Sequence, residues 1–79
     1  MIDPRGLDLQ EWADAVLLAY TGSWALGRLD DPDRWQDWAV GFVRTPDFAK
    51  RVLPDPYQFS DWFEWASLTS PMLEGAAGL

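Results

Sequence analysis

The sequence predicts an all-α fold, a small compact bundle of three to four short amphipathic helices with a core anchored by tryptophan. Apolar residues recur at spacings of three and four, which is the period of one helix face. Five of the six prolines follow a residue whose side chain can cap a helix, and proline is favoured at the first helical position. No Asn-Gly or Asp-Gly hairpin turn occurs, and no segment alternates apolar and polar residues over the length of a strand. The five pairs are Asp3-Pro4, Asp31-Pro32, Thr45-Pro46, Asp55-Pro56 and Ser70-Pro71.

The first predicted helix runs from about Asp8 to Tyr20. Its acidic residues face water, and Gly22 is available for the left-handed conformation that often ends a helix. A connector follows at residues 23–29. The apolar stripe of this helix consists of Leu9, Trp12, Ala13, Val16, Leu17 and Tyr20.

The second predicted helix has the strongest local signals. Asp31 caps it and Pro32 opens it. It ends before Pro46, because the residue preceding a proline avoids the helical conformation. We expect Trp38 to be buried, since it lies centrally on the apolar face. That face consists of Trp35, Trp38, Ala39, Phe42 and Val43.

A short third helix is expected at about residues 46–52, with Phe48 and Val52 on one side. The tail, residues 71–79, is rich in glycine and alanine and has weak helical tendency. At 79 residues the chain is expected to form a single helical domain, 1–79, with a flexible or partner-bound tail.

The fourth predicted helix runs from about Asp61 to Leu68. Two starts are possible, because Ser60 is a suitable cap and the Asp55-Pro56 pair is another. Its apolar face consists of Trp62, Trp65, Ala66 and Thr69.

A degenerate repeat links three of these helices. Residues 9–13, 35–39 and 62–66 share the pattern Leu or Trp, any residue, an acid, Trp and Ala. Duplication and a shared packing requirement both explain it. Both explanations predict that the repeated alanine lies where two helices approach closely.

Helical register assigns most of the large aromatic residues to the core. The predicted core residues are Trp12, Trp35, Trp38, Phe42, Trp62 and Trp65. Large apolar residues off these stripes are the candidates for a partner-binding surface, because aromatic anchors are enriched at interfaces. The predicted partner-binding residues are Trp24, Phe63, Met72 and Leu73.

Catalytic and metal chemistry has little support in this composition. The chain contains no histidine and no cysteine, which removes imidazole bases, thiolate nucleophiles and the usual zinc ligands. The glycines have neither phosphate-loop nor dinucleotide spacing. The one dense acidic group is expected to cap and pair at the start of the second helix rather than to bind a cation. We therefore expect no enzyme activity, no cofactor and no metal. The dense acidic group at the start of the second helix consists of Asp30, Asp31, Asp33 and Asp37.

The net charge of −7 weighs against direct nucleic-acid binding, which needs basic residues to displace counterions from phosphate. Both ends of the chain are acidic, while residues 28–51 are balanced. Anionic membrane surfaces repel such a chain, and the run from Ala15 to Tyr20 is too short to span a bilayer. No signal peptide is recognisable. The expected location is the cytoplasm or the interior of a virus particle.

These patterns favour a non-enzymatic protein–protein interaction module. We expect a small structural or adaptor subunit of a larger assembly, such as a virus particle, that binds a protein partner or copies of itself. The surplus of apolar residues over what so small a core can hold supports this expectation. The alternative is a small acidic antagonist that imitates the charge of nucleic acid and blocks a nucleic-acid-binding protein.

Overall fold

Three α-helices form the described part of the computed structural model: α1 at Leu9–Tyr20, α2 at Trp35–Val43 and α3 at Trp62–Ala77. Single 3-10 turns lie at Pro32–Arg34 and Pro56–Gln58. The structure describes residues 2–20, 27–45, 48 and 52–77, with side chains as far as Leu73 in α3. No strand occurs in these residues, and the prediction of an all-α fold is confirmed.

Helix α1 begins at a reciprocal capping box. The backbone N–H of Glu11 donates to the carboxylate of Asp8 at 2.7 Å, and the N–H of Asp8 donates to the carboxylate of Glu11 at 3.0 Å. Two backbone donors at the helix start are thereby satisfied, and both carboxylates lie at the positive end of the helix dipole. The helix starts and ends within one residue of the predicted bounds.

Replacing Asp8 with alanine is expected to cost about 1 kcal/mol of folding stability, because it removes the acceptor for the Glu11 N–H. Asp8→Asn is the matched control, since an asparagine keeps an acceptor at the cap and should lose much less. Urea denaturation of both variants measures the difference. If Asp8→Ala and Asp8→Asn lose the same stability, the effect comes from the charge of Asp8 rather than from its capping hydrogen bond.

Each Asp-Pro pair forms one turn, in which the carboxylate accepts the backbone N–H two residues later. The distance is 2.9 Å at Asp3, 3.0 Å at Asp31 and 3.0 Å at Asp55. Only the turn after Asp31 leads directly into an α-helix. Asp31 caps this 3-10 turn as predicted, but α2 itself begins at Trp35 after Arg34, which makes no side-chain capping bond, so the predicted start of the α-helix at Pro32 is wrong. The turn at Asp3 stays a single turn, so the pair does not start a helix there. An Asp-Pro pair therefore determines a single turn. An α-helix follows that turn only where the next residues form an apolar stripe.

Most of the predicted third helix, at 46, 47 and 49–51, lies outside the described residues. The Phe48 N–H donates to the Thr45 carbonyl at 2.8 Å, which closes one turn, and the Phe48 side chain is fully buried. Val52 lies in no helix and is 90 % exposed, whereas Phe48 is buried, so the expectation that they share a face is wrong. Pro54 accounts for this, because it disfavours helical conformation in the preceding residue and no helical face can continue there.

Helix α3 is capped by Asp61, and the expectation that Ser60 caps it is wrong. The Asp61 carboxylate accepts the Phe63 N–H at 3.1 Å, and the first α3 residue is Trp62. An aspartate cap also places a full negative charge at the positive helix end, which a serine cannot do.

Helix α3 continues past Leu68 to Ala77, so the predicted end at Leu68 is wrong. Pro71 lies inside the helix and has no N–H for the Ser67 carbonyl. Ser67 is exposed, so water can solvate that carbonyl, and burial of Leu73, which follows Pro71 in the same helix, supports the continued helix. None of the described helices is long and apolar enough to cross a membrane.

An aromatic cluster fills the core, with Trp65 in the middle. Its ring centroid lies 5.4 Å from that of Trp12 and 5.5 Å from that of Phe42, both edge-to-face. Trp35 lies 6.0 Å from Trp65, and Phe48 lies 5.1 Å from Phe42. Side chains from all three helices therefore meet in one contact network.

Two of the six predicted core residues lie at the edge of this cluster. Trp38 and Trp62 are half-buried, which corrects the expectation of full burial. Trp38 occupies the same repeat position as Trp12, yet only Trp12 is covered by the N-terminal segment, where its indole N–H donates to the Ile2 carbonyl at 3.3 Å. The Trp38 indole N–H donates to the Gly27 carbonyl at 2.9 Å at the edge of the molecule. The four buried members are Trp12, Trp35, Phe42 and Trp65.

The alanine of the repeat is fully buried in all three helices, at Ala13, Ala39 and Ala66. A side chain this small lets a neighbouring element approach the helix backbone closely. Helix α1 packs against α3, while α2 packs against the turn at Pro56–Gln58.

The N-terminal segment is tied to two helices through one carbonyl. The Ile2 oxygen accepts the Trp12 indole N–H and the Ser70 hydroxyl, which donates from the middle of α3. Ser70 and Pro71 were expected to start a helix, and this expectation is wrong because both lie inside α3. The cap-like hydroxyl of Ser70 instead satisfies a backbone group distant in sequence.

Candidate functional site

A groove crosses the surface where the starts of α1 and α3 meet the turn before α2. It consists of two depressions of about 230 Å³ and 460 Å³, whose walls share Pro32, Trp35 and Trp62. Leu9 and Leu29 complete the apolar wall of the smaller one. We call these five residues the aromatic groove.

Trp62 lies at the junction of the two depressions. It is the first residue of α3, held in place by the Asp61 cap, and it is half-buried against the core. Its ring meets Phe63 edge-to-face at 5.8 Å. Because helical side chains lean toward the N-terminus, the ring of a first residue extends past the helix end toward the groove.

The floor of the groove belongs to the core. Trp35 is only 7 % exposed and packs on Trp65, so its indole is held from below while its edge lines both depressions. A surface supported in this way loses little conformational entropy when it binds a ligand, because its side chains are already ordered.

Two glutamines fix the walls. The Gln10 carbonyl oxygen accepts the Leu29 N–H at 2.6 Å, and its amide donates to Asp14 at 3.0 Å. The Gln36 amide donates to the Phe59 carbonyl. Both side chains therefore join a helix to a loop beside the groove, and their polar atoms are engaged within the protein.

Charged residues surround the aromatic groove. Asp8 and Arg28 line the smaller depression, while Asp33 and Asp61 line the larger one. Asp8, Asp33 and Asp61 are exposed, as is Arg28. The rim thus carries three carboxylates and one guanidinium.

Two members of the acidic group at the start of α2, Asp31 and Asp37, form local interactions. Asp31 caps the 3-10 turn, and Asp37 forms an ion pair with Arg34 at 3.2 Å. Within the described ranges, no group of three or more histidine, cysteine or acidic side chains is arranged to hold a metal ion.

Asp37 also accepts a hydrogen bond from the Tyr57 hydroxyl, which links α2 to the turn at Pro56–Gln58. This bond, with that from Arg34, holds the pKa of Asp37 below its ordinary value. The same bond is the main reason that the pKa of Tyr57 is raised, since it stabilises the protonated phenol. Tyr57 lines a separate depression of about 360 Å³ and is not part of the aromatic groove.

The three predicted partner-binding residues that the structure describes, Phe63, Met72 and Leu73, do not form one exposed patch. Trp24 lies outside the described residues. Leu73 is fully buried in the chain's own core, so its assignment to a docking surface is wrong. Phe63 is half-buried beside Trp62, whereas Met72 is 39 % exposed. Nine residues of helix place these two on opposite faces, about 13 Å apart along the axis.

Helical register assigned Trp62 wholly to the core and gave no indication that it also lines the groove. One local signal was available, because a large aromatic residue directly after a cap lies at the open end of its helix. The convergence of Leu29 and Pro32 on Trp62 had no such local signal, since it depends on how the helices pack. No protein family, curated protein or solved structure matches this chain.

Proposed function

We propose that this protein is a non-enzymatic interaction module that docks an apolar segment of a partner protein into the aromatic groove. One observation carries the proposal: Trp62, half-buried and preorganised, lies where two depressions meet above the fixed Trp35. Aromatic side chains in such positions anchor protein interfaces, where a few of them supply most of the binding energy.

The chemistry of the rim supports binding rather than catalysis. The carboxylates of Asp8 and Asp61 accept backbone N–H groups at the starts of α1 and α3, so each is engaged in capping a helix. The chain contains no histidine or cysteine that could act in their place.

A protein segment suits the shape of this site better than a small molecule. Small-molecule sites enclose most of the ligand surface. Here the walls end in exposed residues, Asp33, Ser60 and Asp61, so the groove is open along its length. An extended or helical segment can lie along it and insert one side chain beside Trp62.

Membership of a larger assembly, as a structural or adaptor subunit, is part of this proposal. Leu18, Val52 and Leu68 are exposed large apolar residues that do not line the groove. Surfaces of this kind favour further contacts with neighbouring subunits.

Photo-crosslinking tests the proposal. A benzoylphenylalanine placed at Ser60, which lines the groove and is exposed, is expected to crosslink one protein in native cells. The matched control carries the same group at Val52, which is exposed and lines none of the three depressions. Trp62→Ser should abolish the crosslink at Ser60, because it removes the anchor.

Two results would overturn the docking proposal. Identical crosslinked products from Ser60 and Val52 would show that the groove does not bind a specific partner protein. Capture that survives Trp62→Ser would favour the acidic antagonist instead, since imitation of nucleic-acid charge depends on the carboxylates and not on the indole.

A further inference from the structure

We infer that the segment that docks in the aromatic groove is cationic: a stretch of a partner protein in which lysine or arginine flanks an apolar side chain. This inference rests on the proposed docking function and specifies the chemistry of the partner.

Acidic residues from three separate parts of the chain converge on this groove. Asp8 comes from the start of α1, Asp33 from the turn before α2 and Asp61 from the start of α3. Asp8 and Asp61 have a local reason to be there as caps, and Asp33 lies in a first turn. Only the packing of the three starts around the two adjoining depressions of the groove makes them a common rim.

The basic residues that the structure describes near the groove do not cancel this charge. Arg28 lines the smaller depression, whereas Arg34 is paired with Asp37 on α2. The N-terminal dipoles of α1 and α3 add about half a positive charge each. Asp30 and Asp31, which immediately precede the groove residue Pro32, add two further negative charges, so the surroundings stay negative.

The charge of the rim discriminates between possible occupants. A cationic segment is attracted, and its encounter rate increases. An acidic segment, a nucleic acid or an anionic membrane is repelled. A second copy of this chain docked groove to groove would bring two acidic rims together, which disfavours self-association through this face.

Titration with three helical peptides of equal length tests the inference. All carry the same leucine face, while the polar positions are lysine, glutamine or glutamate. The readout is the NMR shift of the Trp62 indole N–H. We expect the lysine peptide to bind about tenfold more tightly than the glutamine peptide, as two or three screened ion pairs would produce. The glutamate peptide should be weakest, and added salt should narrow the difference.

Two substitutions locate the effect. Asp33→Asn should weaken binding of the lysine peptide several-fold and leave binding of the glutamine peptide unchanged. Asp55→Asn is the matched control, because it removes one negative charge from a separate depression that shares no lining residue with the groove, and it keeps an acceptor at the cap. It should change neither affinity. Trp62→Ser should abolish binding, with circular dichroism showing that the helices remain.

Other outcomes overturn the inference in distinguishable ways. Equal affinity for the lysine and glutamine peptides at Trp62 would refute the cationic partner and leave docking intact. Equal weakening by Asp33→Asn and Asp55→Asn would show that net charge, not the rim, attracts the peptide. If no peptide shifts the Trp62 signal, the cationic chemistry is refuted, and crosslinking at Ser60 decides the docking function separately.

Discussion

Replacing Trp65 with alanine is expected to lower the free energy of unfolding by about 3–5 kcal/mol, the usual cost of deleting a buried large aromatic side chain. Trp65 is fully buried and contacts Trp12, Trp35 and Phe42. Its indole N–H also donates to the Pro54 carbonyl at 3.0 Å, which would lose its partner. Domains have total stabilities of about 5–15 kcal/mol, so this loss can unfold a small one.

Urea denaturation measures the effect, and two further variants keep it interpretable. Trp65→Phe removes the indole N–H and part of the ring, and it should lower the free energy of unfolding by about 1–3 kcal/mol. It replaces the alanine variant if that variant is too unstable to study. Trp38→Ala is the matched control, because Trp38 is half-buried, and it should cost about 1–2 kcal/mol. If Trp38→Ala lowered the free energy of unfolding as much as Trp65→Ala, the result would contradict the structure. It would support the central core position that helical register predicts for Trp38.

Leu73→Ala is expected to cost about 2–5 kcal/mol, whereas Met72→Ala should change stability by no more than about 0.5 kcal/mol. The two residues are neighbours in α3, but Leu73 is fully buried in the core and Met72 is 39 % exposed. The pair isolates burial, since both substitutions shorten a flexible apolar side chain to the same methyl group in the same helix.

The same pair decides the role of the C-terminal residues. A large loss of stability in Leu73→Ala but not in Met72→Ala would show that the end of α3 is part of the domain core. If both substitutions leave stability unchanged, residues 71–77 contribute nothing to the isolated domain, and the sequence-based expectation of a flexible or partner-bound tail would replace the structural assignment.

Core and groove are linked through two tryptophans. Trp65 supports Trp35 from inside, and Trp35 forms the floor on which the groove is built. A substitution at Trp65 is therefore expected to disturb both stability and the groove, whereas Trp62→Ser acts mainly on the groove. This difference is why binding experiments use Trp62 rather than a fully buried residue.

The sequence by itself determined the helical class, the start of α1 and the turn that leads into α2. The Asp31 cap and the apolar stripe of α1 depend on interactions within a few residues. Short-range geometry is the same in any fold, so caps and periodicity predict these features directly. The buried alanines of the repeat follow from the same periodicity.

Only the tertiary structure decided which apolar residues are covered and which side chains form a site. Trp12 and Trp38 have equivalent repeat positions, but Trp12 is covered by the Ile2 segment and Trp38 is not. Leu73 is buried because α3 continues through Pro71. The aromatic groove and its acidic rim depend on helix starts that are distant along the chain. Periodicity gives the direction of a side chain from its own helix, whereas burial and convergence depend on what packs against that helix.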